Sequence, residues 1–405
     1  MIKRILSTAT ASLVLLAFSM VAHAKLTEVP EPFKGANPDS TFSIKYDDVN
    51  DLLRSTVVNT GRSSRERAEP SRAKTGTRMK QTIKRATVNE GNRFYFEVFE
   101  GNDEATAILH NVRKSLEIVP EQVPLGAFSS NEQLAYWLNL YNITLIDEIA
   151  KIYPKRNLKK VLEGSKSILD DKVLTVAGVP LSLNDIEFIL RDNYNSDPLI
   201  IYGLYQGIIG GPNIRRVAYS GSNVYQALQD NAEEFVNSNR GTYAKDESTF
   251  RVSSLYERDA AFFANDEALK KHLLRFLQSP EVDELQSASR IKRDIDDWTI
   301  TDLYGSSRDL GGSMADSKVA LLDSVQGSQP GESIGTSVST NFSAASSAVI
   351  SKSPTDKRFS PDLMIRLQEI NARRDQTARG NARVTVEELG TVEVEPADPD
   401  KDENK

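Results

Sequence analysis

The stretch NEQLAYWLNLYNITLIDEIAKIY, residues 131–153, decides the fold. Leu134, Trp137, Leu138, Tyr141 and Leu145 recur at helical spacing, and apolar side chains continue to Pro154, which stops the run. A helix this apolar is mostly buried, so other elements must surround it. Its polar members then need explaining. Asn139 and Asn142 lie among large apolar residues, and buried amides need partners, as core hydrogen-bond struts or as the lining of a site. Glu132, at the start of the helix, carries the same alternatives and is the candidate catalytic carboxylate.

Working outward, Asp47–Val57 predicts a short amphipathic helix with Val49, Leu52 and Leu53 inward. Arg93–Phe99 alternates as a strand, and Asp103–Val119 is a helix closed by Pro120. Downstream, Val173–Leu181 predicts a hairpin around Ala177-Gly178, and Ser182 with Asp185 opens the next helix as a capping pair. Asn223–Val236 and Asp266–Leu277 are further helices, and regular patterning stops near Tyr304-Gly305. The expected fold class is α+β: one mixed, helix-rich globular domain with small β elements, spanning residues 25–305.

The rest of the chain reads differently. Residues 1–24 resemble a secretory signal: Lys3 and Arg4, an apolar run from Ala11 to Ala22, and Ala22-His23-Ala24 as the cleavage site. The mature protein is therefore expected to be soluble in the periplasm or secreted, with no membrane span after cleavage. Residues 61–85 hold nine basic and two acidic side chains and form a basic loop or arm within the domain. Residues 306–360 are a Ser-rich linker, 361–379 a short helix, and 380–405 an acidic tail, the linker and tail too polar to offset ordering entropy.

Composition removes much familiar chemistry. The chain of 405 residues carries a formal charge of −7, or −9 once Lys3 and Arg4 are cleaved away, the wrong sign for a nucleic-acid partner. With no cysteine there is no disulfide, no thiolate metal site and no thiol nucleophile. His110 reads as a solvated surface residue and His272 as a structural residue at the edge of an apolar face. The acids Asp294, Asp296 and Asp297 read as solvated, because the glycine and distal Glu of a calcium loop are missing. We expect no cofactor and no metal.

The residues with most to say about chemistry run from Gly203 to Arg216, GLYQGIIGGPNIRR. Glycines permit close approach of backbone, Gln206 and Asn213 offer paired donors and acceptors, and Arg215 offers a forked donor. The stretch lacks the Lys-Ser/Thr end of a phosphate loop and the spacing of a dinucleotide fold. It is either a buried turn where chain segments cross or the wall of a cleft.

At these residues the chain resembles the domain-of-unknown-function 547 family. The pieces are NEQLAYWLNLYN (131–142), LSLNDIEFILR (181–191), DPLIIYGLYQGIIGGPNIR (197–215), Tyr219–Phe235 and Ile295–Leu303, so the resemblance covers about Thr41 to Gly305. It implies an exported or membrane-associated bacterial α+β domain, in a family whose biochemical role is not established. Many members look like LxCGxxxCP where this chain has Gln206 and Gly211, and many carry His where it has Phe188. Thiol chemistry inferred for such relatives cannot run here, which weakens an enzyme reading.

Three functions remain. The leading expectation is a non-covalent binding or interaction module, its cleft lined by Glu132, Asn139, Asn142, Arg191, Gln206, Gly207, Gly210, Gly211, Asn213 and Arg215. Its partner would be a small polar or anionic ligand, or an envelope protein. The alternative is a carboxylate-based hydrolase or transferase of the cell envelope, with Glu132, Asp185 or Glu187 as general base and Gln206 or glycine N–H groups as oxyanion donors. The third is a structural envelope protein recruiting partners through its basic arm and acidic tail.

Overall fold

Ser130–Ile152 forms a helix of 23 residues, and every residue from Glu132 to Asp147 in it is buried. The computed structural model describes residues 25–63, 65, 87, 90–302 and 358. All lie in one compact unit, Met1–Arg358; a second, Phe359–Lys405, lies outside the described residues. In chain order the elements are α1 (Asp47–Thr56), β1 (Val57–Val58), β2 (Arg93–Phe94), α2 (Asp103–Glu117), α3 (Val119–Gln122), α4 (Ser130–Ile152), α5 (Lys159–Leu162), β3 (Leu174–Val176), β4 (Val179–Leu181), α6 (Leu183–Asn193), α7 (Val224–Val236), β5 (Thr242–Asp246), β6 (Thr249–Ser253), α8 (Leu255–Arg258), α9 (Asp266–Leu273), α10 (Glu281–Ser287) and β7 (Arg290–Ile295). The fold is mixed α+β, with α2, α6 and α7 packed around α4.

Local chemistry explains most element ends. Ser129 caps α4, and Ser182 and Asp185 close a reciprocal capping box at α6. The β3–β4 hairpin turns at Ala177 and Gly178, whose φ angles of 48° and 77° are the left-handed pair that a two-residue hairpin needs. The expected strand over Arg93–Phe99 is shorter than its alternation suggests. Its partner β1 has two residues, so only Arg93 and Phe94 pair, and Phe96–Phe99 coils into a 3₁₀ turn burying Phe96 and Phe99. A three-stranded sheet, β5-β6-β7, carries no alternation we could read. Its outer strands are charged, and β7 pairs parallel to β6 through a crossover containing α8, α9 and α10.

Two polar clusters sit inside this frame. Arg113 on α2 pairs with Asp147 at 2.7 Å, Glu148 at 2.9 Å and Glu117 at 3.3 Å, all on the buried α2–α4 seam. His272 is 5% exposed rather than at an edge, with Nε2 3.0 Å from the Tyr202 hydroxyl and its ring stacked on Tyr202. Burial depresses the imidazole pKa to about 4. Because the folded value lies below the unfolded one, stability is full above about pH 6.5 and falls as the pH drops towards 4. We expect the stability of a His272→Gln variant to fall less steeply across that window, by about 1.4 kcal/mol per pH unit. Urea unfolding at a series of pH values measures this; equal slopes in parent and variant would refute it.

Asp297 corrects the reading of solvated acids. It is 2% exposed and accepts hydrogen bonds from the Thr87 hydroxyl at 2.6 Å and the Thr299 N–H at 3.1 Å. Of the basic side chains of the arm, Arg62 and Arg65 are described; the Arg65 guanidinium donates to the carbonyls of Val236 and Thr242 and pairs with Glu281 at 2.9 Å. Of residues 306–405, only Arg358 is described, 4% exposed and donating to Asp48 at 2.6 Å and to the Lys45 carbonyl at 3.1 Å. The signal sequence, the rest of the serine-rich segment, the short helix and the acidic tail lie outside the described residues. No described helix is long and apolar enough to cross a membrane.

Candidate functional site

The residues singled out from sequence fall in different places. Glu132 accepts from the N–H of Ile44 at 3.0 Å and of Gly221 at 3.0 Å, so its carboxylate ties the N-terminal segment and a distant loop to the start of α4. Burial raises its pKa, and those two N–H groups partly offset the rise. Asn139 pairs with both backbone groups of Tyr219, donating to the carbonyl and accepting from the N–H at 2.9 Å each. Asn142 donates to the Gly203 carbonyl at 3.0 Å and accepts from the Tyr205 N–H at 2.9 Å. All three have their hydrogen-bonding capacity engaged by main chain. Asp185 is likewise occupied, by Ser182, Leu26 and Lys172. Burial works to raise its pKa, but the bonds from Lys172 and Ser182 hold it below the usual value.

The glycine-rich stretch is mainly a crossing point. The N–H groups of Ile209 and Gly210 bond to the carbonyls of Thr299 and Asp297 at 2.8 and 2.9 Å. A side chain at Gly210 would meet the Asp297 backbone at 2.7 Å, and one at Gly207 would strike Ile149 at 2.1 Å. At Gly211 it would press on Gln206 at 3.0 Å. These glycines are small because neighbours touch their backbone, as in the buried-turn reading.

Gln206 is different. Asn142 pins the backbone at Gly203 and Tyr205, and the Thr301 N–H holds the Gly207 carbonyl at 3.0 Å. Between these clamps the Gln206 side chain is 8% exposed and lines a cavity of about 140 Å³. The cavity is also lined by Tyr141 and Leu145, one turn apart on α4, and by Asn184 and Glu187 on α6. Arg258 and Asp259 close it at the end of α8, and Leu162, Leu169 and Leu204 complete the apolar wall.

What distinguishes this cavity is unmet hydrogen-bonding capacity. Among the described residues, the Gln206 amide, the Glu187 carboxyl and the Tyr141 hydroxyl have no hydrogen-bond partner, and the Arg258 Nη2 is buried without one. Arg258 otherwise reaches Asp259 at 3.5 Å. Buried polar groups are normally satisfied, so several open ones facing a common space mark a place for water or ligand. Burial and the neighbouring Asp259 charge push Glu187 up to about 8, against the pull of Arg258 and Arg191. Asp259 is raised too, by burial, with Arg258 opposing. At neutral pH Glu187 is thus largely protonated and able to donate. The cavity offers both donors and acceptors.

Arg191, one turn beyond Glu187, lies over the Phe188 ring at 5.4 Å and does not line the cavity. Asn213 and Arg215 line a different, open groove. Of the sequence candidates, the cavity therefore unites Gln206 with Glu187. Tyr141, Arg258 and Asp259 carry no such signal, because Tyr141 reads as one more apolar member of its helix and Arg258-Asp259 lie more than 50 residues beyond Gln206 in the chain. Among the described residues no group of three or more His, Asp or Glu is placed to hold a metal ion.

Residues 125–236 match the family described as "Protein of unknown function, DUF547", which takes in α4, α6, α7 and the glycine-rich stretch. No curated protein and no solved structure matches the chain.

Proposed function

With the DUF547 match over residues 125–236 as premise, we propose that the protein is an exported, non-covalent binding module. Its ligand places an uncharged, hydrogen-bonding group, such as an amide, in the Gln206–Glu187 cavity. The carrying observation is that Gln206, Glu187 and Tyr141, none with a hydrogen-bond partner among the described residues, line one cavity together with Arg258. An engineered cavity of about 150 Å³ holds benzene, so this one suits a ligand portion of roughly six heavy atoms. An amide matches the Gln206 amide edge to edge, accepts from Glu187 and Tyr141, and needs no counter-charge. Export rests on the Lys3–Arg4 charge and the Ala22-His23-Ala24 site.

Ligand-observed NMR with propionamide, propionate and propylammonium at pH 7 tests the reading. Propionamide is expected to bind in preference to the two ions, and Gln206→Leu to abolish that binding. Because Gln206 has no protein partner to strand, its replacement should cost under about 1 kcal/mol of stability. Equal binding by Gln206→Leu, or none by the parent, would reject the site.

One observation favours acid–base chemistry as a second reading: Glu187 held near neutrality beside a second raised carboxylate, Asp259. That is the poise of a general acid with a partner base. Mass spectrometry of the incubated amide separates the two. Turnover lost in Glu187→Gln with binding retained makes the protein a hydrolase or transferase; binding without turnover leaves it a receptor.

A further inference from the structure

A second site lies in the open groove of about 340 Å³ bounded by Arg62, Arg215, Arg216, Asn213, Asp230 and Glu234. Its charges are unevenly matched. Arg62 pairs with Glu233 at 3.0 Å, and Glu234 is engaged by Arg240. Asp230 accepts from Gln226 at 2.9 Å and has no cationic partner among the described residues. Arg215 and Arg216 have no carboxylate partner among them either. Each gives one N–H to a backbone carbonyl, Arg215 to Ala227 at 3.3 Å and Arg216 to Arg54 at 3.2 Å. The Arg215 Nε is buried with no hydrogen bond, and its guanidinium lies over the Tyr219 ring at 5.6 Å.

The wall beside these arginines is prepared. The Asn92 N–H donates to Asn213 Oδ1 at 2.7 Å, the Asn92 amide to the Ile214 carbonyl at 2.8 Å, and the Asn231 amide to the Asn213 carbonyl at 3.2 Å. Main chain just before Arg215 is therefore held from two sides, and the bond to the Ala227 carbonyl at 3.3 Å restrains the guanidinium itself, which lowers the ordering left to binding. A planar fork without a counter-charge, held near an aromatic ring, is suited to two parallel bonds to an oxyanion.

We infer that this groove binds a small oxyanion, a carboxylate or phosphate group, through Arg215 and Arg216, independently of the Gln206–Glu187 cavity. The acidic character of the chain as a whole makes two adjacent unpaired guanidiniums the more notable. Isothermal titration of the full chain with inorganic phosphate and with succinate tests the inference and separates the two sources of the anion. Binding of either is expected, weakened about tenfold in Arg215→Gln. Arg215→Lys should restore little of it, because an ammonium keeps the charge but not the fork. The exposed Arg216→Glu provides the same test should Arg215→Gln unfold: it should lose anion binding with an unchanged melting temperature. Gln206→Leu should bind the anion as the parent does, even if the cavity proves empty of function. Absence of binding by both anions, or unaltered binding in the Arg215→Gln/Arg216→Gln double variant, would overturn it.

Discussion

Glu187→Gln is expected to stabilise the protein, and to do so more as the pH rises. Its carboxyl is pushed up to about 8 by burial and by Asp259. A folded pKa above the unfolded one means that stability is full below about pH 4.5 and is lost as the pH rises through about 8. The amide cannot ionise and escapes that loss. Urea unfolding at pH 5 should distinguish the two proteins by under about 1 kcal/mol, whereas at pH 8 the variant should be more stable by up to about 4 kcal/mol. Stability withheld at a group that fills no structural role is what a functional site costs the fold. If Glu187→Gln is instead destabilising at pH 8, the carboxylate has a protein partner and the cavity is only architecture.

Arg113→Met should be the most damaging single change outside the apolar core, costing about 3–5 kcal/mol. It leaves Asp147 and Glu117, 1% and 4% exposed, facing each other's side of the α2–α4 seam without the guanidinium that reaches both. Lys114 at 3.0 Å from Glu117 and Lys151 at 3.7 Å from Asp147 compensate in part, from exposed positions. The triple variant Arg113→Met/Glu117→Leu/Asp147→Leu should recover most of the loss, because a buried ion cluster and a well-packed apolar one are often of similar stability. Equilibrium unfolding of both variants decides the matter. A triple variant no better than the single one would show that lost packing, rather than stranded charge, is responsible.

The helices were legible because their signals are local. Leu134, Trp137, Leu138, Tyr141 and Leu145 repeat at the helical period, and Ser182 with Asp185 writes its own capping box. The Ala177-Gly178 turn was equally plain, since few residue pairs take two positive φ angles. The sheet of β5, β6 and β7 was not. Its parallel pair joins segments some 40 residues apart, and β7, RIKRDI, has the charges of an exposed edge rather than an alternating face. His272 reads as an edge residue from its own helix alone; the ring that buries it, Tyr202, arrives from 70 residues away.

The same division runs through the site. From sequence alone came the absence of thiol chemistry, the buried central helix, and the short set of polar residues within which a site had to be sought. Which of them face open space was decided by the tertiary structure. Glu132, Asn139 and Asn142 look as promising as Gln206 in a list of residues, yet distant main-chain groups at Ile44, Gly221, Tyr219, Gly203 and Tyr205 claim them. Gln206 and Glu187 remain unclaimed because no partner lies opposite them, and Arg215 is carried to a separate groove. A hydrogen-bonding group advertises its capacity in the sequence, but whether that capacity is already filled depends on contacts made across more than 60 residues of chain.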